Sequence, residues 1–135
     1  MKGALPVTLK ALVLVVDDDP DLLRLVSLLL ARINVDVQTA QSATIAAQYL
    51  TERLPDLMIL DLMMPEISGL DFLRQLRGHR AYETLPVLVL SALIDPEQIR
   101  IALSEGADRY LTKPYITHNL LSVVQEMLQS GRRRD

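Results

Sequence analysis

Short runs of apolar residues alternate along this chain with longer segments in which apolar side chains recur at helical spacing. Runs this short are typical of strands that are buried on both faces of a sheet. With helices as crossovers between them, they predict a parallel sheet covered on both sides, in which each crossover is right-handed. The strands are predicted at 11–16, 35–39, 57–60, 87–90 and 109–111.

Helix starts are marked by capping residues in the segments between the strands. Asp19 before Pro20, and Asp95 before Pro96, predict two starts, because proline has no amide hydrogen to lose in the first turn. Ser42 is predicted to cap the helix that follows the second strand. The inward face of the first helix is predicted to consist of Leu22, Leu25, Val26 and Leu29.

Composition points to one domain. The chain has 135 residues, half of them apolar, which is enough for a single core. We predict a domain at 11–130, an extension at 1–10 and a basic, solvated tail at 131–135. A net charge of −3 offers no basic surface for nucleic acid, and no segment has the pattern of a signal peptide or a membrane span. The absence of cysteine fits a cytoplasmic protein.

Polar residues stand where four of the predicted strands end. Asp17 and Asp18 follow the first strand, Asp61 the third, Ser91 the fourth and Lys113 the fifth. The carboxyl ends of parallel strands meet at one edge of a sheet, which is where open α/β folds bind ligands. A single aspartate after a strand is more often a turn residue, so the prediction of a site depends on the whole set.

Three carboxylates that converge repel one another unless they are protonated or hold a cation. Oxygen ligands in small number favour Mg²⁺, which keeps part of its water shell. Lys113 adds a compact positive charge, and Ser91 adds a hydroxyl donor. A carboxylate nucleophile, a metal, a cation and a hydroxyl are the groups needed to accept a phosphoryl group.

Four motifs in order resemble those of response-regulator receiver domains, the CheY-like family of two-component signalling. They are VVDDDP at 15–20, DLMMP at 61–65 with Gly69, SA at 91–92 and GADRYLTKPY at 106–115. Ser91 follows Asp61 by 30 residues, and Lys113 follows Ser91 by 22. The resemblance implies a flavodoxin-like, doubly wound α/β fold: a five-stranded sheet of order 2-1-3-4-5 flanked by five helices.

The resemblance also implies a role for each matching residue. Asp61 would be the phosphoacceptor, and Mg²⁺ would bind Asp61, Asp18, the backbone carbonyl of Met63 and, through a water, Asp17. Lys113 would contact the phosphoryl group, and Pro114 would hold Lys113 in place through a cis bond. Ser91 and Tyr110 would form the switch, in which the aromatic ring moves inward as the hydroxyl turns.

The family's partners follow from the same resemblance. The phosphoryl donor would be a histidine kinase or a histidine phosphotransfer protein, and a downstream protein would receive the signal. The chain would be a signalling switch that assists its own phosphorylation and dephosphorylation, not an enzyme with a separate substrate. Arg109 stands where many transcription-factor receivers carry an acid, which puts their symmetric dimer in doubt and favours a monomer or weak dimer.

Two other functions compete with this interpretation. A haloacid-dehalogenase-like phosphohydrolase would also use an aspartyl nucleophile and Mg²⁺, but it needs a DxDx[TV] motif after the first strand, which DDDPD does not supply in register. A binding module could keep the fold without ever being phosphorylated. The complete set of polar residues argues against that second alternative.

Overall fold

The computed structural model describes residues 10–113 and 116–132. The strands are β1 (Ala11–Val16), β2 (Val35–Ala40), β3 (Leu57–Leu60), β4 (Val87–Ser91) and β5 (Arg109–Thr112). The α-helices are α1 (Pro20–Leu30), α2 (Ala43–Glu52), α3 (Gly69–Arg77), α4 (Pro96–Ser104) and α5 (Ile116–Ser130), and a 3₁₀ turn covers Arg80–Tyr82. Three of the strands extend one residue beyond their predicted ends.

The strands form one parallel sheet in the order β2-β1-β3-β4-β5, as predicted. In the register of β1 with β3, Val16 lies beside Leu60, so the residues that follow these two strands emerge side by side. Ser91 lies beside Thr112 in the pairing of β4 with β5. The sheet order therefore places the ends of β1 and β3 at the centre of its carboxyl edge.

Alternate strand residues face two separate apolar layers. Val13, Val15 and Ile59 pack on the side of α1 and α5. Leu14, Val16 and Leu60 pack on the other side, where α2, α3 and α4 lie. Burial of β3 on both faces explains why its sequence is a continuous apolar run.

The predicted caps of the first, second and fourth helices are confirmed. Asp19, Ser42 and Asp95 each accept a hydrogen bond from a backbone N–H in the first turn of the helix that follows. The predicted inward face of α1 is partly wrong. The helix buries Leu23, Val26 and Leu30, whereas Leu25 is exposed. Leucines occupy most positions of α1, so its apolar pattern alone did not identify the inward face.

Several predictions fall on residues outside the described part of the chain. They include the 1–10 extension apart from Lys10, the Pro114 bond and the last three residues of the tail. Arg132 is described, and it is bound to the domain, where its Nε donates to Asp108 and its Nη1 donates to the Glu83 carbonyl. Within 10–113 and 116–132, no helix is long and apolar enough to cross a membrane.

Candidate functional site

The turn after β1 presents two aspartates to the carboxyl edge and uses a third as a cap. Asp17 is 2% exposed, and its Oδ1 accepts a hydrogen bond of 2.9 Å from the Asp19 N–H. Asp18 is exposed. Asp19 caps α1 because its Oδ1 accepts a hydrogen bond from the Asp21 N–H. The sequence predicted this structural role. Asp17 and Asp18 are therefore the two residues of this turn that are available to a site.

Asp61 leaves β3 next to Asp17, and Lys113 lies between their carboxylates. The backbone N–H of Asp61 donates to the Val16 carbonyl at 3.0 Å, which fixes the two strand ends side by side. Lys113 Nζ lies 3.1 Å from Asp17 Oδ2 and 3.4 Å from Asp61 Oδ2. The Met63 N–H lies 3.3 Å from Asp61 Oδ1. Asp61 is 3% exposed, so its carboxylate lies at the base of the site.

Burial and neighbouring charges shift the pKa values of this group of residues. The pKa of Asp17 and that of Asp61 are both raised, chiefly by desolvation, and in Asp61 also by the negative charge of Asp17. Burial alone would lower the pKa of Lys113, but the charges of Asp61 and Asp17 outweigh it, and the pKa is raised. One lysine does not fully neutralise two buried carboxylates with a third beside them.

The acidic residues meet the requirements of a divalent cation site. Asp17, Asp18 and Asp61 each offer a carboxylate oxygen, and these oxygens lie within 4.8 Å of one another. Hard oxygen ligands, two of them buried and one exposed, suit a cation that keeps several waters. The raised pKa values indicate that added positive charge would be favourable here.

Gly69 controls how closely α3 approaches the backbone of Asp61. A Cβ at position 69 would lie 1.9 Å from the Asp61 carbonyl oxygen, which is far inside van der Waals contact. The Gly69 N–H donates to the Leu62 carbonyl at 2.9 Å and closes the loop between β3 and α3. The sequence marked Gly69 as part of a motif, but only the structure gives the reason for a glycine.

Ser91 and Tyr110 lie on one side of Asp61 and share a neighbour. Ser91 is fully buried, and its Oγ accepts a hydrogen bond of 3.3 Å from the Leu93 N–H. Tyr110 Oη donates to the Leu93 carbonyl at 2.7 Å. The pKa of Tyr110 is raised, mainly by burial. The two residues are thus linked through the backbone of Leu93.

The predicted site residues meet at one edge of the sheet. Asp17, Asp61 and Lys113 are in direct contact, and Asp18 joins them within the acidic cluster. The side chain of Met63 points outward and is 57% exposed, while its N–H contacts Asp61.

The sequence model of the response regulator receiver domain matches residues 13–125. The chain belongs to the response regulator receiver family. Receiver domains of two-component systems are signalling switches, and they generally bind Mg²⁺ through an acidic cluster of the kind formed here by Asp17, Asp18 and Asp61.

Individual proteins with similar sequences and structures agree with this assignment. The chain is 44% identical over 104 residues to the transcriptional regulatory protein KdpE of Mycobacterium tuberculosis, covering 77% of this chain and 45% of KdpE. It is 35% identical over 121 residues to the DNA-binding dual master transcriptional regulator RpaA of Synechocystis sp., covering 90% of this chain and 50% of RpaA.

Among solved structures, the chemotaxis protein CheY4 of Vibrio cholerae has a TM-score of 0.80 at 30% identity, covering 87% of this chain and 98% of CheY4. The chain spans about half the length of the curated relatives it matches. The likeness to CheY4 therefore covers nearly the whole of that solved chain, whereas the likeness to KdpE and RpaA covers about half of each.

Proposed function

We propose that this receiver domain accepts a phosphoryl group on Asp61 from a phosphohistidine of a histidine kinase or histidine phosphotransfer protein. The observation that carries the proposal is the position of Asp61, a buried carboxylate beside Asp17 and within reach of Lys113. An Asp61 carboxylate oxygen forms a bond to phosphorus while the phosphorus–nitrogen bond of the donor breaks. The imidazole nitrogen leaves with the electron pair, and Asp61 becomes an acyl phosphate.

The surrounding residues supply the positioning and charge that this transfer needs. Asp18, Asp61 and the backbone carbonyl of Met63 would hold Mg²⁺, with Asp17 acting through a water. The ion would supply charge neutralisation for the phosphoryl oxygens. Lys113 lies within 3.4 Å of Asp61 and is placed to pair with a phosphoryl oxygen once the carboxylate is esterified.

Ser91 and Tyr110 would convert this local change into a signal. A phosphoryl group on Asp61 offers new acceptors to the Ser91 hydroxyl, whose bond to the Leu93 N–H is long at 3.3 Å. Turning Ser91 toward the phosphoryl group would disturb Leu93, and with it the carbonyl that Tyr110 binds. A change of hydrogen bonds at one residue would thereby reach the surface.

We expect the downstream partner to be a protein rather than a nucleic acid, because the chain carries a net charge of −3. KdpE and RpaA are named as transcriptional regulators, and RpaA as DNA-binding. In a protein of that kind, the receiver would act on an output domain or partner that contacts DNA. A cytoplasmic location and a monomeric or weakly dimeric state also remain predictions.

The first experiment tests the phosphoacceptor. The protein is incubated with acetyl phosphate and Mg²⁺, and the addition of one phosphoryl group is followed by intact mass. Asp61→Asn should abolish the addition, whereas Asp71→Asn, a change at an exposed aspartate of α3, should label like the parent. Labelling of Asp61→Asn at the parent rate would refute the assignment.

The second experiment tests the metal ligands. Mg²⁺ is titrated into Asp18→Ala and Asp19→Ala while binding is followed by calorimetry. Asp18→Ala should weaken binding more, because Asp18 belongs to the acidic cluster and Asp19 is engaged in capping α1. A larger loss in Asp19→Ala would mean that the ligands of this turn have been assigned in the wrong register.

The lifetime of the phosphorylated state should depend on Met63 and Leu93. Hydrolysis needs a water aligned opposite the bond between Asp61 and phosphorus, and neither side chain can hold a water by strong hydrogen bonds. Met63→Asn with Leu93→Glu should speed dephosphorylation by ~10- to 100-fold, which corresponds to about 1.4–2.7 kcal/mol of barrier. Decay after removal of the donor, with Mg²⁺ present, is the measurement. Equal decay rates would show that these side chains do not control water access.

A Mg²⁺-dependent phosphohydrolase remains the alternative with the most similar chemistry. It would release inorganic phosphate from a generic phosphate ester through many turnovers, whereas a receiver would be labelled once and lose the label slowly. Release of phosphate from p-nitrophenyl phosphate, compared between the parent and Asp61→Asn, separates the two functions. A binding module that is never phosphorylated would show neither labelling nor turnover.

A further inference from the structure

The methionines in the described part of the chain differ sharply in their exposure to solvent. Met58, Met64 and Met127 are 0%, 8% and 3% exposed, whereas Met63 is 57% exposed. Of the two consecutive methionines after β3, Met64 thus packs into the apolar layer that contains Leu60, and Met63 faces solvent. An oxidant dissolved in water therefore has free access to one of these four thioethers and little access to the other three.

The exposed thioether lies at the border of the candidate site. The two carboxylate oxygens of Asp61 have different neighbours: Lys113 Nζ is 3.4 Å from Oδ2, and the Met63 N–H is 3.3 Å from Oδ1. The side chain of Met63 therefore leaves the backbone beside Oδ1 and extends from there into solvent. A change in the polarity of this side chain takes place next to any phosphoryl group that Asp61 carries.

Oxidation by a peroxide changes the polarity of a thioether and leaves its charge and the backbone unchanged. The sulfur lone pair forms a bond to one peroxide oxygen, the O–O bond breaks, and the departing hydroxide takes the proton of the transferred oxygen to become water. The sulfur is oxidised to a sulfoxide, and the peroxide is reduced. A thioether sulfur is only a weak acceptor of hydrogen bonds, whereas the sulfoxide is polar. Hydrogen peroxide is uncharged, so the carboxylates of Asp17, Asp18 and Asp61 do not repel it.

We propose that Met63 is a site of reversible oxidation by peroxides, and that its sulfoxide shortens the lifetime of phosphorylated Asp61. This inference rests on the proposed function and adds a second input to it. The sulfoxide oxygen accepts a hydrogen bond from a water beside the phosphoryl group, which the thioether does not hold. One such bond to the attacking water corresponds to a rate change of ~2- to 10-fold. Methionine sulfoxide reductases reverse the modification, so the oxidant would act as a switch.

The first experiment measures where the oxidant acts. The folded protein is treated with hydrogen peroxide, and the added oxygen atom is located by mass spectrometry of its peptides. Met63 should be oxidised about tenfold faster than Met64, because susceptibility follows exposure. Met1, which lies outside the described residues, is followed as a separate peptide. Equal rates of oxidation at Met63 and Met64 would overturn the assignment of the site.

The second experiment measures what the oxidation does. Protein labelled with acetyl phosphate and Mg²⁺ should lose the phosphoryl group ~2- to 10-fold faster after peroxide treatment, and methionine sulfoxide reductases should restore the slower decay. The ratio of the two decay rates is compared within each variant. Met63→Leu lacks the sulfur, so its ratio should be one, whereas Met64→Leu keeps Met63 and should respond like the parent. A response that persists in Met63→Leu would trace the effect to another methionine and refute the proposal.

A pair of variants tests the physical cause without any oxidant. Met63→Gln places a permanent polar group on an unbranched side chain, and it should lose the phosphoryl group ~2- to 10-fold faster than Met63→Leu. Failure of this inference and failure of the proposed function are distinguishable. If the reduced parent takes up no phosphoryl group, the proposed function and the inference both fall. If the parent is labelled but decays equally fast before and after oxidation of Met63, the inference alone is refuted.

Discussion

The two edges of the sheet use aspartate in opposite ways. At the amino edge, Asp56 accepts the Leu12 N–H at 2.7 Å, and Asp108 accepts the Val87 N–H at 2.9 Å together with two guanidinium groups. At the carboxyl edge, the buried carboxylates of Asp17 and Asp61 share one lysine. Asp108 thus receives two cationic donors where a strand begins, whereas Asp17 and Asp61 share one cationic donor where strands end.

This difference between the two edges distinguishes carboxylates that stabilise the fold from carboxylates that serve the candidate site. A largely buried carboxylate such as that of Asp108, which receives a backbone N–H and two arginines, contributes to folding. Two buried carboxylates that share a single lysine cost folding free energy, but they keep free electron pairs for a metal and a phosphoryl group. The raised pKa values at the carboxyl edge are the electrostatic sign of that cost. The comparison predicts that equivalent substitutions will have opposite effects on stability at the two edges.

The largest effect is expected from removing Asp108. Asp108→Ala leaves Arg77 as a largely buried charge without its carboxylate and takes away the acceptor of the Val87 N–H. Loss of one partner of a buried ion pair costs about 3–5 kcal/mol, so the free energy of unfolding should fall by that amount. Urea denaturation measures it. Asp71→Ala, which breaks an exposed pair with Arg74, should change stability by less than about 0.5 kcal/mol.

A smaller loss is expected from a methyl group at Gly69. The Cβ of Gly69→Ala would overlap the Asp61 carbonyl, so α3 or the end of β3 must move, at a cost of about 1–3 kcal/mol. Gly78→Ala is the control at the opposite end of α3, where the new Cβ would lie 3.4 Å from its nearest neighbour. We expect Gly69→Ala to slow labelling of Asp61 by acetyl phosphate and Gly78→Ala to leave it unchanged. Equal labelling of both variants would show that Gly69 does not position Asp61.

The strand positions and the composition of the candidate site could be predicted because they depend on local patterns, whereas the strand order followed from the resemblance to receiver domains. Apolar runs marked the strands, and the residue after each run had to lie at the carboxyl edge once the sheet was parallel. The contacts of the two aspartates at the amino edge were not predicted. Asp56 and Asp108 resemble ordinary turn residues in the sequence, and their donors come from strands 44 and 21 residues away.

The tail shows the same limit of sequence patterns. Arg132 belongs to a run of arginines that suggests a solvated end, yet it binds Asp108 and the Glu83 carbonyl. Contacts between residues so distant in sequence leave no periodic signal. A basic residue at a chain end has no pattern that distinguishes a bound side chain from a solvated one.

Neutralising Asp61 should raise the free energy of unfolding, whereas removing Asp108 should lower it. Without metal, the folded state raises the pKa of Asp61 above 3.8, so the carboxyl holds its proton more tightly when folded. The parent should therefore lose stability as pH rises from 3.8 through the raised pKa, and Asp61→Asn should avoid that loss. We expect Asp61→Asn to be about 1–2 kcal/mol more stable at pH 7 in EDTA, with the gain disappearing below the unfolded pKa. A variant that is less stable than the parent at pH 7 would contradict this.

The smallest change in the free energy of unfolding is expected from relieving backbone strain, which also differs between the two edges of the sheet. At the amino edge a positive φ is taken by glycine, Gly106, whereas at the carboxyl edge Glu66 has a φ of 68° in the loop that follows Asp61. A residue with a side chain is destabilised by about 1–2 kcal/mol in the left-handed region of backbone conformation. Glycine avoids most of that strain but loses about 0.5–1 kcal/mol more in conformational entropy on folding. Glu66→Gly should therefore stabilise the protein by about 0.5–1 kcal/mol, measured by urea denaturation. Glu66→Ala removes the same carboxylate but keeps a Cβ, so it should give no gain. Equal stability of the two variants would mean that the charge of Glu66, rather than its backbone, accounts for the change.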